Sequence, residues 1–556
     1  MSERIIGKVS ATEKNPSTTD EFFFWTDKGE ILSPFDIVKV KHLPNDTTIT
    51  YGVIEEINHV TDAVNHFSNY ISSDFGETDE EIGNMNRLSM NFVKAKVVCN
   101  TGDIYSPLLD GKQVSLCNSN DIRVALGLYH VKNPIVCGYL QMYRGDETQK
   151  IKVELNANFL IGPEGAHLNV SGISGLAAKT SYSMFLLNAL QQKFCIENNE
   201  EIAFVFFNVK GRDLMAIDEM NPELSEDDKK LYGELGLEPT PFRNVTYYYP
   251  YHNLRPENIA TSADLEDVKK QRARGKAFSY KFPFENSILK LDLLLANEDD
   301  ASGTMESCIN YIMNRQGNFR NVQSWDTLKD VVRSYAEGSA GGGKEAKNEI
   351  LSVSWKKFYR LINKVVDING IFNDNENEAD KDLASEIKNN LVAGQVMMID
   401  ITPLDDNTQS FVFGSVARAI WEMKFLTDRD NVPKKVIIFV DELNKYASSD
   451  TPKGSPILRQ LLDITERGRS LGIILFSVEQ FRSAIHDRIK GNCATAAYGR
   501  TNAIEISKSD YRYIPKVYQN MMTRLPAGEY IISNPALRSL VNVKFPYNTY
   551  RQFPNG

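Results

Sequence analysis

This chain of 556 residues lacks the sequence features of membrane, secreted, disulfide-rich and zinc-binding proteins. No run of about 18 apolar residues occurs, so no membrane span is expected. The N-terminus, MSERIIGKVS, lacks the apolar centre of a signal peptide. The six cysteines include no CxxC pair, and the seven histidines show no metal-ligand spacing. We therefore expect free thiols in a reducing cytoplasm, without a disulfide framework or a structural zinc site.

The chain also lacks an excess of positive charge. Its formal net charge is -10, and the first 150 residues carry about -7 of it. A surface of this sign does not attract nucleic acid as a whole, so any DNA contact has to use a localised basic surface. The length allows two to four domains, and the content of 42% hydrophobic and 24% charged residues is ordinary for a globular protein.

Residues 1–150 have the pattern of an all-β domain. Short runs rich in Val, Ile, Tyr and Phe alternate with Asn, Asp, Gly and Pro, as in a small barrel or sandwich. We expect an assembly or docking module here rather than a catalytic one. The runs are Ile5–Val9, Glu21–Trp25, Ile37–His42, Tyr51–Ile57, Phe92–Val98 and Ile135–Tyr139.

After residue 150 the pattern changes to strands alternating with helices. Continuous apolar runs are typical of parallel strands that are covered on both faces, so residues 151–251 and 393–556 predict an α/β doubly wound core. Residues 252–392 are charged and helix-rich, and they predict a helical insertion. The runs that predict strands of the core are Ile202–Asn208, Val396–Ile401, Val436–Val440, Gly472–Ser477 and Ala503–Ile506.

The stretch Leu168–Leu190 has the order of a phosphate-binding loop. A short apolar run leads through small residues to Lys179 and Thr180, and an apolar segment with helical spacing follows. In such a loop, backbone N–H groups surround an anion, the lysine contacts the outer phosphates and the hydroxyl binds magnesium. The alternative is a small-residue turn that caps a helix without nucleotide. The predicted nucleotide-binding residues are Gly172, Ser174, Gly175, Leu176, Ala177, Ala178, Lys179, Thr180 and Ser181.

A second glycine-rich stretch fits the same spacing and is rejected. Gly338–Lys344 matches GxxxxGK, but Glu345 stands where Ser or Thr is needed, and an apparent helix precedes it instead of a strand. A carboxylate at that position would repel phosphate, so we interpret the stretch as a linker.

The apolar run that ends in Val440, Asp441 and Glu442 supplies the partner that a phosphate-binding loop requires. Asp441 is predicted to support the magnesium ion bound through Thr180, and Glu442 to polarise the attacking water. A solvated strand end explains Asp441 and Glu442 in isolation equally well. Together with the loop, in this order, they predict ATP hydrolysis.

Further candidates follow along the chain. Gln480, at the end of the strand expected beside the Asp-Glu strand, is the candidate sensor of the γ-phosphate. Arg467 and Arg469 are candidates for contact with the phosphate of a neighbouring subunit. The alternative for both arginines is a capped helix end or a surface ion pair.

A basic segment offers a possible DNA contact. Five positive charges within eight residues could hold phosphates without reading sequence. The alternative is a solvated helix face, which the acidic residues just before the segment favour. The basic residues are Lys269, Lys270, Arg272, Arg274 and Lys276.

Taken in order, these features resemble the HerA branch of the HerA/FtsK superfamily of ring ATPases. The resemblance rests on the N-terminal β-barrel (the HAS barrel) and on motifs that cover most of the chain and are weakest across 252–392. The motifs are Gly162–Val170 before the loop, Val440–Glu442, Glu466–Gly472, Ser477–Gln480 and Leu525–Asn534.

The resemblance implies a RecA-like P-loop core, a homohexamer with ATP and magnesium at subunit interfaces, and double-stranded DNA in a central channel. It also implies a partner: a nuclease in DNA-end processing, or a nuclease or NAD-cleaving enzyme in bacterial antiviral defence. Our first hypothesis is therefore an ATP-driven DNA translocase. The second is a ring scaffold that uses ATP to assemble and activate its partner while moving little DNA. A third is a nucleotide-binding module without directed work.

Overall fold

The computed structural model describes most of the chain, in two compact units. Unit 1 comprises residues 1–156 and 500–545, and unit 2 comprises residues 157–499 and 546–556. The described residues are 4–27, 29–43, 47–72, 75, 88–129, 131–145, 148–173, 179–298, 300, 303–338, 350–366, 370–375, 377, 380–426, 431–452 and 454–553.

Unit 1 contains a closed six-stranded barrel. Its strands pair antiparallel in the order β1-β2-β5-β4-β3-β6. Residues such as Phe22 and Phe24 fill the interior, because alternate side chains of a strand point to opposite faces. The strands are β1 (Ile5–Val9), β2 (Glu21–Thr26), β3 (Ile37–Lys41), β4 (Ile49–Thr61), β5 (Ser89–Asn100) and β6 (Gln113–Leu116).

In the described part of unit 1, four further strands lie outside the barrel and pair antiparallel. The run Ile135–Tyr139 lies in one of them, so the sixth barrel strand is β6 instead. These strands pair in the order β18-β19-β7-β8. They are β7 (Pro134–Met142), β8 (Gln149–Asn156), β18 (Glu529–Ser533) and β19 (Val541–Lys544).

One predicted strand is wrong. Ala503–Ile506 forms a helix, because the side chain of Asn502 accepts a hydrogen bond from the Glu505 N–H and caps the first turn. This helix belongs to unit 1. The helices of unit 1 are α1 (His66–Ser72), α2 (Ser119–Leu126), α15 (Ala503–Ile506) and α16 (Lys516–Met522).

Unit 2 is built on a parallel sheet, which has nine strands among the residues that the structure describes. Their order is β13-β12-β11-β14-β10-β15-β16-β9-β17. All seven residues of β10 are buried, as expected for a continuous apolar strand within a parallel sheet. The strands are β9 (Leu168–Ser171), β10 (Ile202–Asn208), β11 (Val245–Pro250), β12 (Ala277–Lys281), β13 (Asp380–Asp382), β14 (Val396–Asp400), β15 (Lys435–Asp441), β16 (Ile473–Glu479) and β17 (Thr495–Tyr498).

Helices connect these strands. A seven-residue π-helix, Gln191–Glu197, extends α3, and a 3₁₀-helix, Ile288–Leu295, follows α6. The α-helices of unit 2 are α3 (Lys179–Leu190), α4 (Glu226–Leu235), α5 (Leu265–Ala273), α6 (Phe284–Ser287), α7 (Thr304–Met313), α8 (Trp325–Glu337), α9 (Ser352–Val366), α10 (Leu383–Asn390), α11 (Asp406–Leu426), α12 (Asn444–Ala447), α13 (Pro456–Leu471) and α14 (Asp487–Asn492).

The stretch 252–392 is mostly helical, and it also contributes β12 and β13 to the sheet. Apolar residues of α8 and α9, among them Leu328 and Phe358, pack into the same core as residues of β10 and β14. Ser324 caps the start of α8, and Gly338, with φ of 71°, ends it. The predicted α/β class with an N-terminal barrel is confirmed. In the described part of the chain, no helix is both long and apolar enough to span a bilayer.

Candidate functional site

The candidate site lies at the carboxyl edge of the parallel sheet in unit 2. There β16 separates β9, which leads into the expected phosphate loop, from β15, which ends in Asp441. The register sets Glu479 opposite Ser171 and Val478 opposite Asp441. Ligands bind at the carboxyl ends of parallel strands, so this edge is where a nucleotide site is expected.

Lys179 and Thr180 lie directly beside Asp441. Lys179 Nζ is 3.9 Å from Asp441 Oδ1, and Thr180 Oγ1 donates a 2.9 Å hydrogen bond to Asp441 Oδ2. Lys179 and Asp441 are both buried. Burial raises the pKa of the Asp441 carboxyl, while the Lys179 ammonium and the Thr180 hydroxyl oppose that shift. A cation, a hydroxyl and a carboxylate therefore meet in one place.

This donor set suits magnesium. Mg²⁺ prefers hard oxygen ligands and is commonly held by one or two protein oxygens together with phosphate oxygens. Thr180 Oγ1 and Asp441 Oδ2 are such oxygens, and they already share one hydrogen bond. No cluster of three or more His, Cys, Asp or Glu side chains in the described ranges forms another metal site.

The centre of the expected phosphate loop is not described. Ser174, Gly175, Leu176, Ala177 and Ala178 lie outside the described residues. On its near side, the Gly172 N–H donates to the Glu479 carbonyl over 3.2 Å. On its far side, Lys179 begins α3, and Ser181 Oγ accepts a 3.4 Å hydrogen bond from Gln552 Nε2 in the C-terminal segment.

Glu442 follows Asp441 in an unusual backbone conformation. Its φ is 56°, in the left-handed region that non-glycine residues rarely adopt. The Glu442 N–H donates a 2.8 Å hydrogen bond to Asp441 Oδ1, and Lys445 Nζ lies 3.3 Å from Glu442 Oε2. Backbone strain of this kind tends to occur at functional sites. The positive φ of Glu442 therefore marks the end of β15 as a candidate functional position.

Gln480 lies immediately after β16 and is partly exposed. The neighbouring Glu479, which sequence reasoning passed over, is fully buried in the same strand end. Asn169 of β9 donates its amide N–H to Glu479 Oε1 and also to Ser477 Oγ, the latter over 3.0 Å. Arg482 in turn donates to Asn169 Oδ1 and lies over the Tyr498 ring.

Burial at the end of β16 raises the pKa of the Glu479 carboxyl. Burial raises its pKa from 4.5 to about 8, although Arg482, Asn169 and Lys179 all favour the ionised form. Its second oxygen, Oε2, has no hydrogen-bond partner within the described chain. A glutamate at the end of a continuous apolar strand was the signal in the sequence that could have identified it.

Arg467 and Arg469 are not at this edge of their own chain. Both belong to the last turns of α13, which precedes the first residue of β16, so they lie at the amino edge of the sheet. Arg467 is exposed and 3.7 Å from Asp463, and Arg469 donates to the Glu164 carbonyl over 3.2 Å. Within this chain, Arg467 therefore forms a surface ion pair, and Arg469 forms a hydrogen bond to a loop carbonyl.

The basic segment is largely neutralised within the chain. Its side chains form ion pairs at 2.9–3.5 Å with carboxylates before it or from other parts of unit 2. This pairing favours the alternative of a solvated helix face at α5. The pairs are Lys269 with Glu266, Lys270 with Asp267, Arg272 with Glu257 and Lys276 with Asp218, while Arg274 ends the helix.

No protein-family model and no curated protein sequence matches the chain. Similar solved structures include the bacterial conjugative coupling protein TrwB, at 12% identity over 69% of this chain and 86% of that chain, with a TM-score of 0.44. VirB4 of Thermoanaerobacter pseudethanolicus has 12% identity over 74% and 96%, with a TM-score of 0.42. The genome packaging NTPase B204 of Sulfolobus turreted icosahedral virus 2 has 15% identity over 30% and 72%, with a TM-score of 0.22. At these values the similarity carries no residue roles over to this chain.

Proposed function

We propose that this chain is an ATP-hydrolysing P-loop enzyme that works as a DNA-translocating ring motor of HerA type. One observation carries the proposal: Lys179, Thr180 and Asp441 meet at the carboxyl edge of a parallel sheet, with Glu442 adjoining them. A lysine and a hydroxyl at the start of a helix, together with two acids at the end of a parallel strand, are the parts that nucleoside triphosphate hydrolysis needs.

In this proposal each residue has one task. The Lys179 ammonium neutralises the outer phosphates, and the first turn of α3 presents free N–H groups to them. Thr180 Oγ1 and Asp441 hold magnesium, which when bound offsets charge on the phosphate oxygens. Glu442 accepts a proton from the attacking water, and Gln480 contacts the γ-phosphate.

The larger assembly belongs to the same proposal. We infer a cytoplasmic homohexamer with duplex DNA in its channel and Arg467 or Arg469 reaching the nucleotide of a neighbouring subunit. A nuclease or an NAD-cleaving effector, in DNA processing or antiviral defence, would be the partner that the barrel docks. Residues Ser174–Ala178 would complete the phosphate loop.

The test exchanges Glu442 for glutamine. Glu442→Gln should bind ATP as the wild type does and lose turnover by about 100-fold or more, because a neutral amide cannot accept the proton. Glu466→Gln is the matched control, since Glu466 lies on α13 and pairs with Arg488 at 2.6 Å. Full turnover in Glu442→Gln would remove this residue from the mechanism.

A second candidate function is the ATP-dependent scaffold, which the ion pairing of α5 favours. Because carboxylates pair with four of the five basic residues of the segment, the segment would hold DNA weakly. DNA stimulation of the ATPase that falls as salt rises would support the motor. Stimulation by the partner protein alone, without a DNA effect, would support the scaffold.

A further inference from the structure

A groove of about 380 Å³ on the barrel of unit 1 collects lysine side chains. It opens on the outer face of β1, β6 and β3, which are neighbours in the barrel. Among the described residues that line it there is no carboxylate. The lysines are Lys8, Lys39, Lys41 and Lys112, and the remaining lining residues are Leu43, Ile49, Gly111, Gln113 and Ser115.

The strand register explains why the charges converge. Lys8 of β1 lies opposite Gln113 of β6, and Lys39 of β3 lies opposite Ser115 of β6. Val40 lies opposite Val114, and continuing this antiparallel pairing by one more residue on each strand sets Lys41 opposite Gln113. Lys8 and Lys41 therefore flank Gln113 on the two neighbouring strands, about 10 Å apart at two strand spacings.

Three of these lysines carry charge that no described carboxylate neutralises. Lys39 is buried and bound to Asp121 Oδ2 at 2.9 Å, so it is a fixed part of the wall. Lys8 and Lys41 are exposed, Lys112 is partly exposed, and none forms an ion pair with another described residue. This distinguishes the groove from the basic segment 269–276, where four of five basic side chains are paired with carboxylates.

We propose that this groove, defined by Lys8, Lys41 and Lys112, binds the phosphodiester backbone of DNA, an inference that rests on the proposed function. Lysines contribute point charges, which suit phosphates and carry no base information. The described residues that line the groove include no aromatic ring on which a base could stack. Protein interfaces are depleted in lysine and anchored by Trp, Tyr or Arg, so an acidic protein segment fits this surface less well.

The location matches the charge distribution of the chain. Because the molecule carries -10 overall, a polyanion is repelled except where positive charge is concentrated. The groove is such a place, and each phosphate that it neutralises releases counterions. Binding should therefore be independent of sequence and strongly dependent on salt.

The test measures binding of the full chain to a fluorescent duplex, with a non-hydrolysable ATP analogue and magnesium, across a salt series. The assay compares the wild type with a Lys8→Ala/Lys41→Ala/Lys112→Ala variant. A third protein carries arginine at the same three positions. A Lys14→Ala/Lys132→Ala/Lys516→Ala variant removes the same charge from exposed positions outside the groove. The groove variant should bind at least about tenfold more weakly at low salt, and its slope of log K against log salt should shrink by about 2 to 3.

The control and the arginine variant should retain wild-type affinity, and the ATPase rate without DNA should be the same in all four proteins. Equal losses in the groove and control variants would overturn the proposal, since only net charge would then matter. Unchanged DNA binding with a lost oligomer would also overturn it and assign the groove to an acidic segment of a second copy. If the wild type itself binds no duplex, the proposed DNA motor fails together with the groove. If the wild type binds duplex and the groove variant does not differ from the control, only the groove proposal fails.

Discussion

Glu479 offers the sharpest test of the buried network, because one isosteric change should make the protein more stable at alkaline pH. Glu479→Gln keeps the shape of the side chain and removes its charge. In the folded chain burial raises the pKa of Glu479 from 4.5 to about 8. Between these values the unfolded chain releases the proton and the folded chain keeps it, so the free energy of unfolding falls as pH rises.

The size of the effect follows from that interval. One pH unit corresponds to about 1.4 kcal/mol, so the wild type should lose on the order of 5 kcal/mol between pH 4.5 and 8 through this group. The contribution is fully present below pH 4.5 and is lost above pH 8. Glutamine does not titrate, and Glu479→Gln should therefore match the wild type near pH 5 and exceed it near pH 9.

Tryptophan fluorescence during urea unfolding is a suitable measurement, because Trp325, Trp355 and Trp421 of the four tryptophans lie in unit 2 with Glu479. Ser477→Ala is the matched control. It removes a hydroxyl that accepts from Asn169 and adds no titration, so its offset from the wild type should stay constant with pH. Parallel curves for the wild type and Glu479→Gln from pH 5 to pH 9 would refute a protonated, buried Glu479.

Three other predictions concern the site and the core. Lys179→Ala should abolish binding of ATP while the thermal midpoint stays within a few degrees of the wild type. Retained affinity in a fluorescent-nucleotide titration would contradict the proposed contact of Lys179 with the phosphates. Gly472→Ala should lower the thermal midpoint, because φ at this position is +71° and the new Cβ would lie 2.1 Å from the Lys434 carbonyl oxygen. Gly233→Ala is the control, since a Cβ added there would have no atom within 4 Å. Phe358→Ala should destabilise unit 2 by about 3–5 kcal/mol in urea unfolding, since Phe358 is fully buried in the core of α8 and α9.

Much of the fold could be predicted from local patterns. Ile5–Val9 and Ile202–Asn208 have the same bounds in the sequence prediction and in the structure, because short runs rich in apolar residues are strong signals of strands. Ala503–Ile506 was the failure. Four residues are too few to show a hydrophobic period. The Asn502 side chain caps the first turn of this segment and thereby stabilises the helix.

The candidate site was predictable only in its motifs. A lysine and a hydroxyl after a small-residue loop, and two acids after an apolar strand, are local features, and the structure brings Lys179, Thr180 and Asp441 together. Asn169 and Arg482 carry no motif. Their contact with Glu479 depends on β9, β16 and the segment after β16 meeting at one edge.

By itself, the sequence determined the α/β class, the barrel and the order of the motifs, because these depend on residues close together in the chain. Tertiary structure alone decided which charges remain available. The lysines of α5 and those of the barrel groove look alike in sequence. Carboxylates pair with the lysines of α5, whereas no carboxylate of a described residue pairs with Lys8, Lys41 or Lys112. The reason is that ion pairing and burial depend on distances in space between residues far apart in the chain.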